Sequence, residues 1–294
     1  MQAPAVSVII PAHKAPHFVN QAVDSVLGQT FDDYEIIIVD DCSGPEYTAQ
    51  YNIVDKVKLI CQTQKTCASA VRNVGIRASK GKYLAFLDQD DIWLPNFLAS
   101  QVCSLEENPQ AGLVFCHYKA VDESLRPIGG ETKPRKHIRS ALNRLCRGCF
   151  IRTPSCILTR RDAVVECGMF DESIVGAGDW DFYLSMAKHR SFIARPDRLT
   201  LYRMHPDQMH KRTQTMRKAT LRVMDKTLSW ALEERPGLVN CVRRNYSRML
   251  RKIAISKAGS EKDTQGARDT IRRAINMWPY SPQNYFALIG IWSS

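Results

Sequence analysis

The chain has 294 residues, a formal net charge of +11 and 44% hydrophobic residues, a composition typical of a globular protein with a buried core. No uninterrupted apolar stretch is long enough to cross a bilayer, which argues against a transmembrane helix. The first residues also lack the charged and then apolar layout of a signal peptide, so we expect a cytoplasmic protein.

The first hundred residues alternate between β-branched runs and helical patterns. The predicted strands are 6–10, ended by Pro11, and then 34–39, 57–60 and 83–87. The predicted helices are 18–29 and 68–79. Strands that are apolar along nearly their whole length and alternate with helices indicate a mostly parallel sheet covered on both faces, and hence an α/β fold.

The pattern changes along the rest of the chain. Further strands are predicted at 113–118, 155–159 and 192–194, a helix at 179–188, and a polar Gly/Pro/Lys loop at 126–139. After about residue 210 only helices are predicted, with breaks at Pro236-Gly237 and near Gly259-Ser260. We therefore expect an α/β domain over residues 1–209 and a helical C-terminal extension over residues 210–294.

The positive charge is concentrated in this extension. Residues 206–294 hold 17 Lys+Arg and 7 Asp+Glu, whereas residues 1–205 hold 24 and 23. Basic helices beside the aromatic end of the chain, from Trp278 to Trp292, suit peripheral contact with an anionic membrane surface. The alternative is a solvated helical cap that packs on the α/β domain. No nucleic-acid-binding module is recognisable, so we expect no nucleic-acid partner.

The ten cysteines do not indicate a disulfide framework, because the chain is neither small nor visibly exported. We expect reduced thiols. Cys146 and Cys149 have the spacing of a zinc or redox pair but lack a clear second pair, which makes a metal or redox role the weaker alternative.

The segment Asp88-Gln89-Asp90-Asp91 follows the apolar strand predicted at 83–87. Ligands collect beyond the carboxyl ends of strands in open α/β sheets. Two carboxylates spaced two residues apart could share a hard divalent cation, which prefers oxygen ligands. The alternative is that Asp88 or Asp91 caps the N-terminus of a following helix.

Seven segments, in order, resemble the motifs of family 2 glycosyltransferases of the GT-A fold, a Rossmann-like nucleotide-diphospho-sugar transferase domain. They are residues 6–11, 22–30, 35–43, Ala-Val-Arg-Asn-Val-Gly at 70–75, Leu-Asp-Gln-Asp-Asp-Ile-Trp-Leu-Pro at 87–95, Gly-Asp-Trp-Asp-Phe at 178–182 and Tyr-Arg-Met-His at 202–205. The resemblance covers residues 5 to about 210. It implies a nucleotide-sugar-binding half at about 1–100 and an acceptor-binding half at about 101–209.

The resemblance implies a donor site at the ends of the first strands. The backbone at Pro11 and Ala12 is expected to line the base pocket. One of Asp40 and Asp41 should hydrogen-bond the base or ribose, while the other forms an Asx turn at the strand exit. Arg72 is expected to point at phosphate or at Asp88.

The resemblance also implies a site for Mn²⁺ or Mg²⁺. Asp90 is expected to bind the cation, with Asp88 either as a second ligand or as a partner of the ribose. Arg203 and His205 are placed to meet the diphosphate or the metal, and His205 is the candidate for a metal ligand.

The expected catalytic base is Asp179, which would deprotonate an acceptor hydroxyl. We interpret Asp181 as a helix first-turn acid. The sequence departs from the family pattern at two places. Gly178 stands where the family usually has Glu, and Ala12-His13-Lys14 follows the first strand where an aromatic residue and Asn are common.

These features predict an inverting, metal-dependent transferase that moves a sugar from a UDP-sugar to a saccharide or lipid-linked saccharide in polysaccharide or cell-surface glycan synthesis. We expect a cytoplasmic protein at the inner face of the membrane. One alternative is a catalytically inactive sugar-nucleotide-binding or scaffold protein of the same fold. Another is an unrelated nucleotide-binding Rossmann enzyme, disfavoured because no Gly-x-Gly-x-x-Gly follows the first strand.

Overall fold

The computed structural model describes residues 3–129, 140–206 and 213–292. The chain divides into two compact units, Met1–Ala141 with Phe150–Lys211 and Leu142–Cys149 with Arg212–Ser294. The sequence predicts a single boundary near residue 210. The structure instead groups residues 142–149 with the C-terminal helices. Part of the predicted loop at 126–139, residues 130–139, lies outside the described residues.

The first unit is built on one mixed sheet in the strand order β3-β2-β1-β4-β7-β6-β8-β5. Its strands are β1 (Val6–Ala12), β2 (Tyr34–Asp40), β3 (Val57–Cys61), β4 (Tyr83–Phe86), β5 (Ile92–Trp93), β6 (Ala111–Val121), β7 (Ile157–Arg160) and β8 (Ser191–Arg203). The helices up to β8 are α1 (Pro16–Leu27), α2 (Pro45–Thr48), α3 (Ala68–Ala78), α4 (Phe97–Glu106), α5 (Ala141–Leu145), α6 (Arg161–Glu166) and α7 (Gly178–His189). All of α5 except Ala141 belongs to the other unit.

The sheet is parallel in its first half and mixed in its second. The four strands β3, β2, β1 and β4 are parallel neighbours, as the apolar runs predict. By contrast, β7 is antiparallel to both β4 and β6, while β6 and β8 are parallel. The Val and Ile residues of β1 and β2 are fully buried, which places the hydrophobic core on both faces of the parallel half.

The parallel register brings the carboxyl ends of β1, β2 and β4 to one edge of the sheet. The prediction that Pro11 ends β1 is wrong, because the strand continues to Ala12, which pairs with Asp40. Pro11 faces the side of β4, whose last paired residue, Phe86, lies opposite Ile9. Because proline has no N–H, Pro11 cannot donate a hydrogen bond to a neighbouring strand, and it stands next to the last residue of β1.

A short strand after the acidic segment was not foreseen. Residues Ile92 and Trp93 form β5 and pair with Leu201 and Thr200 of β8. Trp93 is buried, stacks on Phe97 with ring centroids 3.9 Å apart, and is a core residue. The long strand β8 thus joins the acidic segment to the sheet, and its own end carries the predicted Tyr-Arg-x-His motif to the same edge.

The second unit is helical, as predicted. Besides most of α5 it contains α8 (Thr213–Glu234), α9 (Val239–Gly259), α10 (Thr264–Met277) and α11 (Pro282–Trp292). The predicted breaks are confirmed by a 3₁₀ turn at Pro236–Leu238 and by the end of α9. In the part of the chain that the structure describes, none of the helices combines the length and apolar character that a bilayer span requires.

Candidate active site

The acidic segment at residues 88–91 forms a tight turn directly after β4. Asp91 N donates to Asp88 O over 3.0 Å, and Asp88 N donates to Ser155 Oγ over 3.0 Å. Because β4 lies between β1 and β7, the turn sits in the middle of the sheet edge. Ligands of open α/β sheets bind at such edges. The three carboxylates of the turn nevertheless have different surroundings.

Asp91 is a buried structural carboxylate. It is fully inaccessible, and it accepts hydrogen bonds from Ser155 Oγ at 2.5 Å, Thr153 Oγ1 at 3.2 Å and Arg203 N at 3.2 Å. Burial, with the two neighbouring carboxylates of the turn, raises the pKa of Asp91 well above its usual value. The helix N-cap hypothesis for Asp91 is wrong, because β5 follows it and the next helix begins at Phe97.

Asp88 is held by an ion pair. Its Oδ1 lies 2.5 Å from Arg72 Nη2, and its Oδ2 accepts a hydrogen bond of 3.1 Å from Thr153 Oγ1. Of the two partners expected for Arg72, phosphate or Asp88, the structure shows Asp88. Since both oxygens of Asp88 already have protein partners, the structure favours Asp90 over Asp88 as the first ligand of a cation.

Asp90 and His205, the predicted metal ligands, lie side by side. Asp90 Oδ2 lies 2.9 Å from His205 Nε2, and both side chains are partly accessible. Within residues 3–129, 140–206 and 213–292 no group of three or more His, Cys, Asp or Glu side chains is arranged to hold a metal. Magnesium commonly takes only one or two protein ligands and completes its shell with phosphate and water. One acid and one histidine would supply the two protein ligands of such a site.

Arg203 lies behind this pair. Its side chain is 1% exposed, with Nε donating to Asp90 O over 2.8 Å, Nη1 to Glu123 O over 2.5 Å and Nη2 to Gln21 Oε1 over 2.6 Å. The guanidinium also lies 4.8 Å from the centre of the Phe18 ring. Because all three nitrogens donate within the protein, the structure favours a positioning role for Arg203 over direct contact with a diphosphate.

The two aspartates at the end of β2 have different hydrogen-bond partners. Asp40 accepts hydrogen bonds from Ser43 N at 2.8 Å, Ser43 Oγ at 2.5 Å and Tyr51 Oη at 2.7 Å, and so forms the expected Asx turn. Asp41 Oδ1 accepts from Thr66 N at 2.7 Å and Thr66 Oγ1 at 3.1 Å. Its second oxygen has no hydrogen-bond partner among the described residues. Asp41 is therefore the better candidate for a nucleotide contact.

The residues at and after the end of β1 lie at the same edge of the sheet and contact the residues that follow β2 and β4. Pro11 and Ala12 are the last residues of β1, and the chain continues into His13. His13 N donates to Gln89 Oε1 over 2.7 Å, and His13 Nδ1 lies 3.0 Å from Asp41 O. The ends of β1, β2 and β4 are thus tied together by one histidine and one glutamine.

Asp179 lies at the start of α7 and shares an electrostatic environment with the Arg72–Asp88 pair. Its Oδ1 accepts a hydrogen bond of 2.8 Å from Trp180 N. Burial raises the pKa of Asp179, Asp88 raises it further, and Arg72 opposes the shift. Arg72 Nε is itself buried with no hydrogen-bond partner among the described residues, which leaves one donor of this cluster for a ligand.

The unusual Gly178 is explained by packing. A Cβ atom at this position would lie 2.3 Å from Ser69 Oγ, so the first residue of α7 presses directly on α3. A glutamate could not be accommodated there unless Ser69 moved. The predicted first-turn acid Asp181 lies in the first turn of α7, where it is buried.

Several residues of this site escaped the sequence analysis. Thr153 and Ser155 organise the acidic turn from more than 60 residues away, and no local pattern marks them. Gln89 and Lys65 were also missed, although Gln89 stands between the two predicted acids. Lys65 Nζ lies 2.9 Å from His13 Nε2, which adds positive charge beside the ends of β1 and β2.

The sequence matches a model of glycosyl transferase family 2 over residues 7–168, which is more than half of the chain. A relative from Rickettsia prowazekii, described as an uncharacterized glycosyltransferase, is 30% identical over 70% of this chain and 65% of its own length. A relative from Escherichia coli, the UDP-Glc:alpha-D-GlcNAc-diphosphoundecaprenol beta-1,3-glucosyltransferase WfgD, is 26% identical over 64% of this chain and 72% of its own length. A Rickettsia bellii relative is matched over 31% of its length.

Solved glycosyltransferase structures resemble the whole chain. S. aureus TarS (residues 1–349) in complex with UDP-GlcNAc has a TM-score of 0.68 at 15% identity, with 98% of this chain and 89% of that chain covered. The mannosyltransferase from Pyrobaculum calidifontis in complex with GDP-Man and Mn²⁺ has a TM-score of 0.59 at 15% identity, over 95% of this chain and 89% of that chain.

The structural likeness confirms the predicted GT-A fold, and the sequence match confirms the predicted class of enzyme. The ordered motifs, the acidic turn at the sheet edge and the family model agree with one another. The chain belongs to glycosyl transferase family 2.

Proposed function

We propose that the protein is an inverting glycosyltransferase that moves a sugar from a UDP-sugar to a hydroxyl group of a saccharide or lipid-linked saccharide in cell-surface glycan synthesis. The observation that carries the proposal is the cluster of Asp88, Arg72 and Asp179. It brings the end of β4, helix α3 and the start of α7 into one electrostatic environment. The UDP-GlcNAc complex of TarS and the printed activity of WfgD support a UDP-sugar as the donor.

The donor would lie over the ends of β1, β2 and β4. In this proposal the backbone at Pro11 and Ala12 lines the base, and the free oxygen of Asp41 binds the base or ribose. Lys65, whose ammonium group donates to His13 Nε2, places positive charge beside the same edge, which suits the diphosphate. Asp88 stays paired with Arg72 and borders the ribose side of the site.

A divalent cation is proposed at the Asp90–His205 pair. These two residues would hold Mn²⁺ or Mg²⁺, and the cation would neutralise charge on the departing diphosphate as a Lewis acid. Arg203 keeps the pair in place, because it binds the backbone oxygen of Asp90 and the side chain of Gln21. The Mn²⁺ in the mannosyltransferase complex supports a cation in this fold.

Asp179 is proposed as the general base. It takes the proton of the acceptor hydroxyl while that oxygen bonds to the anomeric carbon and the bond from this carbon to the diphosphate breaks. A single displacement inverts the anomeric centre, so an α-linked donor gives a β-linked product. A raised pKa makes the Asp179 carboxylate a stronger base than an ordinary aspartate, which favours this role.

The C-terminal helices are proposed as a peripheral membrane contact at the inner face, where a lipid-linked acceptor would be found. Phe286, Ile289 and Trp292 of α11 are 71%, 65% and 54% exposed. Exposed aromatic and aliphatic side chains on one helix beside basic helices are typical of interfacial binding. This surface supports the proposal independently of the active site.

The reaction can be tested with a panel of UDP-Glc, UDP-GlcNAc, UDP-Gal and GDP-Man in the presence of Mn²⁺ or EDTA. We expect one UDP-sugar to be hydrolysed or transferred, with activity lost in EDTA and reduced by about 10²-fold or more in Asp179→Asn. The matched control is Asp162→Asn, because Asp162 also lies in a helix first turn and accepts a hydrogen bond of 2.8 Å from the next backbone N–H.

The same panel separates an enzyme from an inactive binding protein. A wild-type chain that is stabilised by a UDP-sugar but neither hydrolyses nor transfers it with any acceptor would support the inactive alternative. Equal activity of Asp179→Asn and Asp162→Asn would contradict the proposed base.

A further inference from the structure

The helical unit contains a cavity of its own. Its volume is about 890 Å³, which lies within the range of small-molecule sites. Four arginines, Arg147, Arg244, Arg248 and Arg251, line the cavity, and every lining residue belongs to the helical unit. No function described so far uses this cavity.

The arginines come together through the spacing of α9. Arg244, Arg248 and Arg251 are four and three residues apart, so they share one face of the helix. Arg147 reaches the same cavity from the segment at 142–149. Like charges at this spacing destabilise a helix, so the cluster is not explained by helix stability.

Two of the four guanidinium groups are positioned by neutral partners. Arg248 Nη2 donates to Arg147 O and to Asn245 Oδ1, both over 2.8 Å. Arg251 Nη1 donates over 3.2 Å to Ser281 Oγ and to Asn284 Oδ1. Backbone, amide and hydroxyl oxygens fix these side chains without neutralising their charge.

No carboxylate compensates the cluster within the described parts of the chain. The cavity lining includes no Asp or Glu, and none of the four arginines forms an ion pair with a carboxylate of residues 3–129, 140–206 or 213–292. Fixed guanidinium groups with unused N–H donors match the oxygen geometry of phosphate. The cluster thus has the charge and the donors of an anion site.

Two aromatic rings form another part of the lining. Trp278 and Tyr280 pack edge to face with centroids 5.3 Å apart, and Tyr280 is 79% exposed. An exposed aromatic wall beside an anion site suits a ligand in which phosphate is attached to a sugar ring or to an apolar chain.

We propose that this cavity binds a phosphate-bearing ligand, with the phosphate on Arg147, Arg244, Arg248 and Arg251 and the attached group against Trp278 and Tyr280. The proposal does not depend on the catalytic activity proposed above. The phosphate could belong to a water-soluble compound or to the headgroup of an anionic lipid, and both sources share the same recognition chemistry.

Calorimetric titration of the full chain with inorganic pyrophosphate in EDTA tests the site. We expect saturable binding that Arg244→Gln/Arg248→Gln weakens by at least about tenfold, the loss expected from removing charge-assisted hydrogen bonds. The matched control is Arg243→Gln/Lys252→Gln, which removes the same charge from exposed positions of α9 outside the cavity. The control should stay within about twofold of wild type, since screened surface charges contribute little.

Equal weakening in both double variants, or the absence of saturable binding to the wild type, would overturn the proposal in favour of a solvated basic face. If the cavity variant unfolds, Arg147→Gln serves instead, because the Arg147 side chain is exposed and makes no hydrogen bond to another described residue that the substitution would remove. The single variant should still weaken pyrophosphate binding severalfold, and unchanged binding would count against the site.

Flotation with vesicles of phosphatidylcholine, with and without phosphatidylglycerol, separates the two sources. Anionic-vesicle binding that is lost in the cavity variant, kept in the control and displaced by pyrophosphate identifies a lipid headgroup. Equal vesicle binding of both variants, with pyrophosphate binding lost only in the cavity variant, identifies a soluble phosphate. Sugar-nucleotide turnover, measured separately on the same variants, reports on the catalytic proposal alone.

Discussion

Arg72 Nη2 lies 2.5 Å from Asp88 Oδ1, and this ion pair joins helix α3 to the end of strand β4. The same guanidinium lowers the pKa of Asp179, which burial and Asp88 raise. One arginine therefore pairs with one carboxylate and acts electrostatically on a second that belongs to a distant part of the sequence. Substitution of Arg72 should therefore affect both Asp88 and Asp179.

We predict that Arg72→Gln reduces sugar transfer by about tenfold or more and moves the acid limb of the pH–rate profile to higher pH. The reason is that the pKa of Asp179 rises when the neighbouring positive charge is lost, so the base is deprotonated only at higher pH. The measurement is kcat/KM against pH. Arg77→Gln, on the exposed side of the same helix, is the control and should leave the profile unchanged. An unshifted limb in Arg72→Gln would mean that Asp179 is not the group that titrates.

We predict that Asp179→Asn is at least as stable as the wild type at pH 7 to 8. A raised pKa means that the folded state binds the proton more tightly than the unfolded state, so stability falls as pH rises from the ordinary aspartate value through the folded pKa. Asparagine does not ionise, so the variant lacks this pH-dependent loss of stability. The difference in unfolding free energy between variant and wild type should vanish below about pH 4, where Asp179 is protonated in both the folded and the unfolded state. Denaturant unfolding at several pH values measures it, with Asp162→Asn as the control. A variant that is less stable than wild type at neutral pH would contradict the raised pKa.

We predict that Gly178→Ala costs about 1–3 kcal/mol of unfolding free energy, because the new methyl group would meet Ser69 Oγ at 2.3 Å. The double variant Gly178→Ala/Ser69→Ala should recover most of that loss, since the Ser69 Cβ atom lies at an ordinary contact distance of 3.7 Å. A double-mutant cycle measures the coupling. Gly237→Ala, with open space around it, is the control. Additive effects at 178 and 69 would show that the two residues do not meet.

We predict that UDP raises the melting temperature only weakly in EDTA and more strongly with Mn²⁺, because the stabilisation by a ligand increases with the logarithm of its concentration over its dissociation constant. Asp90→Ala and His205→Ala should each abolish the additional shift that Mn²⁺ provides. His189→Ala, an exposed histidine at the end of α7, is the control. A full Mn²⁺-dependent shift in either Asp90→Ala or His205→Ala would exclude that residue as a ligand.

The sequence was sufficient for the parallel half of the sheet and for the helical extension. Apolar runs such as residues 34–39 are periodic signals that stay within one element, and the breaks at Pro236-Gly237 and Gly259-Ser260 rest on local backbone preferences. The position of the acids at strand ends followed from the same patterns. The ordered motifs then gave the family.

Local sequence patterns could not predict the contacts that organise the site. The hydrogen bond from Ser155 to Asp91 spans 64 residues, and that from Arg203 N to the same carboxylate spans 112. The sequence around Ser155 and around Arg203 contains no pattern that predicts these hydrogen bonds. The strand β5 is only two residues long and exists because β8 pairs with it, so local preference could not reveal it.

The assignment of Leu142–Cys149 to the helical unit has a consequence for how this polypeptide can be divided. The backbone leaves the sheet-containing body after Ala141, contributes one short piece to the other body, and returns at Phe150 before departing again near Lys211. Leu145 and Cys146 in that piece are completely shielded from solvent. The two units therefore alternate along the sequence instead of following one another. A cut near residue 211 would leave residues 142–149 attached to the sheet-containing fragment, and the helical fragment would lose these buried apolar side chains from its core.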